Sequence, residues 1–331
     1  MKKIVSIVLA VSMLAVCVTG CKTTTRKQLK PVVLNEVAHS IFYAPQYAAI
    51  ELGYFEDEGL DLTLVNGAGA DKVMTALISG DADIGFMGSE ASIYVYQQGS
   101  DDYAVNFAQL TQRAGNFLVG REAQDNFTWA DLKGKKVLGG RAGGMPEMVF
   151  EYILKKNGID PAADLTIDQS INFGLTAAAF TSNDADYTVE FEPFATGLEK
   201  EGNSHVIASL GVDSGYVPYT AYSVKKSYLE KNPETIQKFT NAIQKGLEYV
   251  NTHSAEEIAK VIQPQFKETD EDTIATIVGR YKDQDTWKGD TVFEKDSFEL
   301  LENILEEAGE LNERVPYDKL VTTEFSQEAA K

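Results

Sequence analysis

The stretch VAHSIFYAPQYAAIELGYFEDEGLDLTLV at residues 37–65 shows how this chain alternates between strand and helix. An apolar run at 31–37 predicts a strand that leads into it, and the alternating apolar and polar residues at 60–65 predict a second strand. Between them, Pro45 favours the start of a helix, because proline suits the first helical turn and biases the preceding residue away from helical geometry. Gly53 is a suitable end for that helix. The stretch therefore predicts a strand, a helix and a strand in succession.

The same alternation extends over two parts of the chain. In the first part we expect helices at 71–79 and 90–98 around a strand at 82–87. In the second part we expect strands at 136–138, 185–191 and 205–210, and helices at 146–158, 172–181 and 193–200. Strands separated by helices are typical of a parallel sheet with crossover helices. The sequence therefore predicts an α/β fold built from two similar units.

These patterns also predict the domain boundaries. We expect lobe 1 at 31–116, a hinge at 117–122 and lobe 2 at 123–214. Residues 215–331 would form a return hinge followed by helices, because their apolar residues recur at spacings of three and four. A helical tail with an apolar face must pack against another surface, and lobe 1 is the natural host.

The N-terminus has the layout of a secretory signal. Lysines at the start precede an apolar run and small residues, which predicts a signal peptide at 1–20. A cysteine directly after the small residues favours a lipoprotein, with cleavage before Cys21, lipid on Cys21 and a polar tether at 21–30. The alternative is an ordinary signal peptide that is cut elsewhere.

The composition excludes several function classes. The formal net charge is −20, so the surface argues against nucleic acid, which requires a basic footprint. The chain has 2 Cys, and one of them lies in the predicted leader. We therefore expect neither a disulfide nor a cysteine-metal site. Only 3 His occur, and they are widely separated, so a multi-histidine metal site has weak support.

Ligands of open α/β sheets bind beyond the C-terminal ends of the strands. The loops that meet this condition lie at 39–44, 87–90, 139–145 and 190–193. From these loops and the adjoining helix we choose the candidate ligand-binding residues. They are His39, Phe42, Tyr43, Tyr47, Gly88, Ser89, Glu90, Arg141, Gly143, Gly144, Glu190 and Glu192.

The aromatic candidates can line a cleft or pack in the core. Phe42 and Tyr43 offer flat apolar area at a strand end, and we expect at least one of them to be core. The position of Tyr47 in the helix is equally consistent with a side chain that faces the cleft and with one that faces the sheet. His39 lies on a cleft loop, where it either contacts ligand or serves as a packing residue. Ser89 is expected to cap its helix and can also present its hydroxyl group to ligand.

The charged candidates give the clearest electrostatic prediction. The glycines around Arg141 permit close backbone approach to a ligand, and Arg141 pairs either with an anionic ligand or with a surface carboxylate. On a strand, Glu190 and Glu192 would share one face. The carboxylate of Glu192 could accept hydrogen bonds from an amino-substituted ring, or it could complement the dipole of the next helix.

Three segments give the chain a specific resemblance. They are HSIFYAPQYAAIELGYFEDEGLDLTLV, GADKVMTALISGDADIGFMG and GGRAGGMPEMVFEYILKKNGID. Together they resemble the substrate-binding lipoproteins of ABC importers, in the branch that holds thiamine-pyrimidine, riboflavin, taurine, alkanesulfonate and nitrate binders. The resemblance implies a two-lobed periplasmic-binding-protein fold of type 2, with two crossing hinge segments and ligand in the cleft between the lobes.

The resemblance also implies the function. We expect a monomeric, extracytoplasmic protein without cofactor, anchored to the cell membrane through Cys21, that delivers a small molecule to an ABC permease and its ATPase. Aromatic walls and an acid in the cleft favour a heteroaromatic ligand such as a thiamine-pyrimidine precursor. Because of Arg141 and the helix that begins at Ser89, sulfonates, taurine and nitrate are alternative ligands. Alternatives of another class are a ligand-sensing lipoprotein and an enzyme similar to the yeast pyrimidine synthases.

Overall fold

The computed structural model describes residues 28–171 and 174–331. The predicted leader at 1–20 and Cys21 lie outside the described residues, as does most of the tether. Within the described ranges, no helix combines the length and the apolar character needed to cross a membrane.

The strands lie close to their predicted positions. They are β1 (Lys30–Glu36), β2 (Leu60–Asn66), β3 (Ile84–Met87), β4 (Ala104–Thr111), β5 (Phe117–Gly120), β6 (Lys136–Leu138), β7 (Thr166–Asp168), β8 (Tyr187–Glu190), β9 (His205–Ser209) and β10 (Thr220–Lys225). The residues at 104–111 and 166–168 were not recognised as strands in the sequence, and those at 117–120 and 220–225 were assigned to the hinge and the return hinge. In β4 all the residues are buried, so there is no alternation of apolar and polar residues to reveal the strand.

Helices separate most of the strands and form the C-terminal part. They are α1 (Ala44–Glu51), α2 (Tyr54–Asp57), α3 (Ala70–Ser79), α4 (Glu90–Gln97), α5 (Met145–Lys156), α6 (Thr176–Ser182), α7 (Phe194–Lys200), α8 (Leu210–Ser214), α9 (Lys226–Lys231), α10 (Pro233–Thr252), α11 (Ala255–Ile262), α12 (Glu271–Asp283), α13 (Lys295–Ala308), α14 (Tyr317–Leu320) and α15 (Glu324–Ala329). Pro45 lies in the first turn of α1, as predicted.

The strands form two five-stranded sheets, which confirms the prediction of a two-lobed α/β fold. The first sheet has the order β2-β1-β3-β10-β4, and the second has the order β7-β6-β8-β5-β9. In each sheet four strands run in the same direction. The fifth strand is the one that arrives from the other sheet, β10 in the first sheet and β5 in the second, and it pairs antiparallel with both of its neighbours. The carboxyl ends of β1, β3, β6 and β8 carry the loops in which the site was predicted.

The chain crosses between the sheets at positions that differ from the predicted hinge. It passes from β4 to β5 through residues 112–116 and returns from β9 to β10 through 210–219. The predicted hinge at 117–122 instead contains β5, which carries ladder hydrogen bonds to β8 on one side and β9 on the other. A strand that is paired on both sides belongs to its sheet, so the first crossing segment ends at Asn116. The outer limits predicted for lobes 1 and 2 stay predictions.

The C-terminal helices pack on the first lobe and also reach the second. Helix α10 packs on α1, and the contact is close at Gly246, where a Cβ atom would lie 2.2 Å from the Pro45 carbonyl oxygen. The segment after α14 covers the edge of β4 through a parallel bridge between Asn106 and Val321. Helix α13 contacts α5 of the second lobe. The tail therefore stabilises lobe 1 and also bridges to lobe 2.

Candidate functional site

The site predicted at the strand ends is a cleft between the two sheets. Its empty volume of about 1020 Å³ includes space open to solvent. The predicted residues that line it are His39, Tyr43, Gly88, Glu90, Arg141, Gly144, Glu190 and Glu192. Loops from both lobes therefore converge on one space.

Glu190 places a buried carboxyl group in the wall formed by lobe 2. It is the last residue of β8 and has 2% of its surface exposed. Its two carboxyl oxygens accept hydrogen bonds from the hydroxyl groups of Thr176, at 2.9 Å, and Thr188, at 2.5 Å. Burial raises the pKa of Glu190 to about 7, although both hydroxyl groups favour the charged form.

Glu90 places a second buried carboxyl group in the same cleft from lobe 1. It is the first residue of α4, and 3% of its surface is exposed. Burial raises its pKa to about 7, and the positive charge of Arg141 on the opposite lobe opposes that rise. The Oε2 atom of Glu90 has no hydrogen-bond partner among the described residues. Glu90 therefore keeps a buried oxygen whose hydrogen-bonding capacity is unused among the described residues.

Arg141 lies at the mouth of the cleft. Its side chain is 52% exposed, and one guanidinium nitrogen lies 4.0 Å from the carboxylate of Asp71. An exposed guanidinium group that already faces a carboxylate binds an anion less strongly than a buried one would. The charged groups deepest in the cleft are thus acids.

Glu192 lines the cleft, but its carboxylate does not have the predicted freedom to bind a ligand. One oxygen accepts hydrogen bonds from the Thr196 hydroxyl at 2.8 Å and from Arg280 Nη1 at 2.9 Å. The other accepts from the Thr196 backbone N–H at 2.9 Å. The alternative prediction is therefore the correct one, since the acid complements the N-terminus of α7 and also neutralises Arg280 of α12. Because β8 ends at Glu190, the strand alternation that would place both acids on one face does not reach Glu192.

His39 and Tyr47 belong to a hydrogen-bond network behind the cleft. His39 Nε2 lies 3.0 Å from the Gln265 carbonyl oxygen, which can only accept, and Nδ1 lies 2.8 Å from a carboxylate oxygen of Glu36. The bond to Glu36 raises the pKa of His39. The Tyr47 hydroxyl donates to Glu36 at 2.8 Å, and the residue is fully buried. His39 therefore lines the cleft with its ring nitrogens already bonded, and Tyr47 faces the core.

Phe42, Ser89 and Gly143 are absent from the lining of the cleft. Phe42 is fully buried, with its ring centroid 5.2 Å from that of Tyr281, so of the predicted aromatic pair only Tyr43 lines the cleft. Ser89 does not cap its helix. Its hydroxyl donates to the Pro218 carbonyl oxygen at 2.5 Å. The Gly143 N–H donates to Glu147 at 3.1 Å.

The crossing segments contribute two lining residues that the sequence analysis missed, Asn116 and Tyr219. Tyr219 donates from its hydroxyl to Asn116 Oδ1 at 2.9 Å, so the two crossing segments are bonded to each other. Asn116 Nδ2 has no hydrogen-bond partner in the described part of the chain. The sequence analysis placed Asn116 at the end of lobe 1 and Tyr219 in the return hinge, and neither position marks a residue as facing a ligand.

Comparison with known proteins assigns the chain to a family. Residues 41–257 match the model of the family described as NMT1/THI5 like. Over 308 residues the chain is 46% identical to YtlA of Bacillus subtilis (strain 168), which is named as a candidate binding protein, and the match covers 93% of this chain and 92% of YtlA. The chain therefore belongs to the NMT1/THI5-like family.

Two more distant similarities are to a solved binding protein and to a yeast protein that is named as a synthase. The alkanesulfonate-binding protein SsuA of Xanthomonas axonopodis pv. citri, solved with MOPS bound, superposes with a TM-score of 0.71 at 14% identity, over 89% of this chain and 99% of SsuA. The 4-amino-5-hydroxymethyl-2-methylpyrimidine phosphate synthase THI11 of Saccharomyces cerevisiae is 26% identical over 229 residues, which are 63% of either chain. The fold of this chain is that of the ABC-type periplasmic ligand-binding proteins.

Proposed function

We propose that this protein captures a small nitrogen-containing heteroaromatic molecule, such as a thiamine-pyrimidine precursor, between its two lobes. It then acts as a monomeric solute-binding component of an ABC importer, outside the cytoplasm and anchored through lipid on Cys21. One observation carries the ligand class. Glu90 and Glu190 present buried carboxyl groups to one cleft from opposite lobes.

The reason is electrostatic. A carboxylate that loses its water must gain hydrogen-bond donors or a positive charge, and the amino groups of a heteroaromatic ring supply them. A ligand that contacts Glu90 and Glu190 at once also stabilises the closed state, because it contacts both lobes in that state only. The rings of Tyr43 and Tyr219 provide flat apolar surface beside the acids.

Sulfonates and nitrate are the second candidate ligands. Arg141 and the similarity to SsuA favour them. Two acids in a closed cleft would, however, repel an anion in surroundings of low dielectric constant, and Arg141 is half exposed. We therefore expect the repulsion of an anion by the two acids to exceed its attraction to Arg141.

The alternative of a pyrimidine-synthase-like enzyme rests on the resemblance to the yeast enzymes, which implies a lysine that binds pyridoxal phosphate. The cleft lining contains no lysine within the described ranges. The residues present therefore do not fit that cofactor, and we propose binding in preference to that reaction. A ligand sensor would use the same cleft, and a neighbouring sensor kinase gene in place of permease and ATPase genes would favour it.

Titration calorimetry at pH 8 tests the ligand class, since both carboxyl groups are then largely ionised. The probes are 4-amino-5-hydroxymethyl-2-methylpyrimidine, thiamine, riboflavin, taurine, methanesulfonate and nitrate. We expect the aminopyrimidine to bind, and Glu190→Gln to weaken it about tenfold or more, because a charge-assisted hydrogen bond is lost. Glu302→Gln is the matched control, a buried glutamate of α13 that accepts from the Val315 N–H and lies 3.9 Å from a guanidinium nitrogen of Arg314, and it should leave affinity unchanged. Binding of the anions alone would refute the proposed ligand class.

A further inference from the structure

Two buried polar atoms in the cleft lining share an unusual property. Neither Asn116 Nδ2 nor Glu90 Oε2 has a hydrogen-bond partner in the described part of the chain. Asn116 is fully buried, and Glu90 has 3% of its surface exposed. Buried polar groups are normally paired, because an unpaired one loses its hydration without compensation. A molecule in the cleft that pairs with both atoms would recover that loss.

The orientation of the Asn116 amide is fixed by the second crossing segment. Its Oδ1 atom accepts the Tyr219 hydroxyl proton at 2.9 Å, and the Tyr219 ring is held in turn by Phe42 and Phe191, with centroids at 5.7 and 6.2 Å. With Oδ1 engaged in this way, the amide offers its Nδ2 atom as the free group. Asn116 therefore presents a hydrogen-bond donor.

Glu90 presents the complementary group from the first turn of α4. A Cβ atom on Gly88 would lie 2.1 Å from Glu90 Oε2, so glycine at position 88 leaves the space that the carboxylate occupies. Burial raises the pKa of Tyr219, and the charges of Tyr43 and Glu90 raise it further, which is consistent with the side chains of Glu90 and Tyr219 being close. An ionised Glu90 can only accept hydrogen bonds.

We propose that Asn116 and Glu90 form a donor and acceptor pair that selects ligands in which a hydrogen-bond acceptor lies beside an N–H donor. Amino-azines, lactams and primary carboxamides have this pattern. Nitrate and sulfonates lack it because they offer acceptors alone. The inference rests on the proposed function and makes it more specific, since it names the polar pattern that the ring must carry.

The position of Asn116 gives this pair a distinct role in binding. Asn116 and Tyr219 lie in the crossing segments, between the two sheets, whereas Glu190 lies within lobe 2. During hinge closure the joining segments absorb the change in backbone dihedral angles while the lobes move around the ligand. In this proposal Asn116 contacts the ligand at the junction of the lobes, and Glu190 contacts it from lobe 2.

Calorimetry at pH 8 with 4-amino-5-hydroxymethyl-2-methylpyrimidine and its 4-dimethylamino analogue tests the pair. Asn116→Asp keeps an oxygen for the Tyr219 hydroxyl but removes the donor, and we expect it to weaken binding of the aminopyrimidine by roughly ten- to a hundredfold. The dimethylamino analogue lacks the N–H donor and should bind the unaltered protein weakly. Glu90→Gln should therefore reduce the affinity for the aminopyrimidine much more than the affinity for the analogue.

Thr291→Val is the matched control for removal of an unpaired buried polar atom. The Thr291 hydroxyl is also buried without a partner among the described residues, but it lies outside the cleft lining. We expect unchanged affinity in this variant. Thermal melting of each variant without ligand establishes that it is folded. The comparison of the two pyrimidines on the unaltered protein requires no substitution, so it holds even if a variant fails to fold.

The outcomes separate the two proposals. Equal affinities of the Asn116→Asp variant and the unaltered protein, or of the two pyrimidines, would overturn the donor and acceptor pair while the proposed function stands. If the unaltered protein binds taurine, methanesulfonate or nitrate and neither pyrimidine, the proposed ligand class itself fails, and the pair fails with it.

Discussion

The substitution Glu190→Gln should make the protein more stable at pH 8 and have a much smaller effect at pH 5. Burial raises the pKa of Glu190 from its ordinary value of 4.5 to about 7. The folded state therefore holds the proton more tightly than the unfolded state. Stability from this group is fully present below pH 4.5 and is lost as the pH rises through 7.

The magnitude follows from the two pKa values. The interval between 4.5 and about 7 corresponds to about 3 kcal/mol that the folded protein loses by ionising Glu190 at pH 8. A neutral glutamine avoids this loss, and the hydroxyl groups of Thr176 and Thr188 can accept from its amide as well as donate to it. For a protein of this size the gain corresponds to a rise of about 5 °C in Tm.

Urea unfolding at pH 5 and at pH 8 measures the effect directly. The free energy of unfolding of the variant minus that of the unaltered protein should be about 1 kcal/mol or less at pH 5 and about 3 kcal/mol at pH 8. Equal differences at the two pH values would show that Glu190 ionises as freely in the folded protein as in the unfolded chain. A gain of stability together with lost affinity would identify Glu190 as a residue kept for binding at the expense of stability.

Three further predictions concern other parts of the chain. Glu192→Gln should destabilise the protein by about 1–3 kcal/mol in urea at pH 8, opposite in sign to Glu190→Gln, because a guanidinium group of α12 loses its buried carboxylate. Gly246→Ala should lower the free energy of unfolding by about 1–3 kcal/mol, because the added methyl group would overlap α1. Gly279→Ala, with open space around it in α12, should raise the free energy of unfolding by up to about 1 kcal/mol. Equal effects of the two substitutions would contradict the packing argument. Cys21→Ser should move the protein from the membrane fraction to the soluble fraction of fractionated cells, and an unchanged distribution would refute the lipid anchor.

The alternation of strand and helix could be predicted because it depends on neighbouring residues. The first turn of α1 at Pro45 and the succession of strand, helix and strand from β1 to β2 follow from local patterns. The convergence of loops at the strand ends follows from the general geometry of parallel sheets. For this reason Tyr43, Glu90 and Glu190 could be named as cleft residues from the sequence.

Side-chain partners could not be predicted in the same way. Glu192 is bonded to Arg280, 88 residues further along the chain, and the Ser89 hydroxyl to the carbonyl group of Pro218, 129 residues away. Neither partner leaves a trace in the local pattern. The sequence therefore offered Glu192 and Glu190 as similar acids, and the partners separate them into a structural acid and a cleft acid.

By itself the sequence determined the class of fold, its two lobes and the loops that face the cleft, because these depend on local periodicity and on where parallel strands end. The tertiary structure alone decided which groups in those loops remain free to bind a ligand. It also placed Asn116 and Tyr219 in the cleft from segments with no recognisable motif. The physical reason is that a hydrogen bond depends on distance in space, and the folded chain brings together groups that are far apart in sequence.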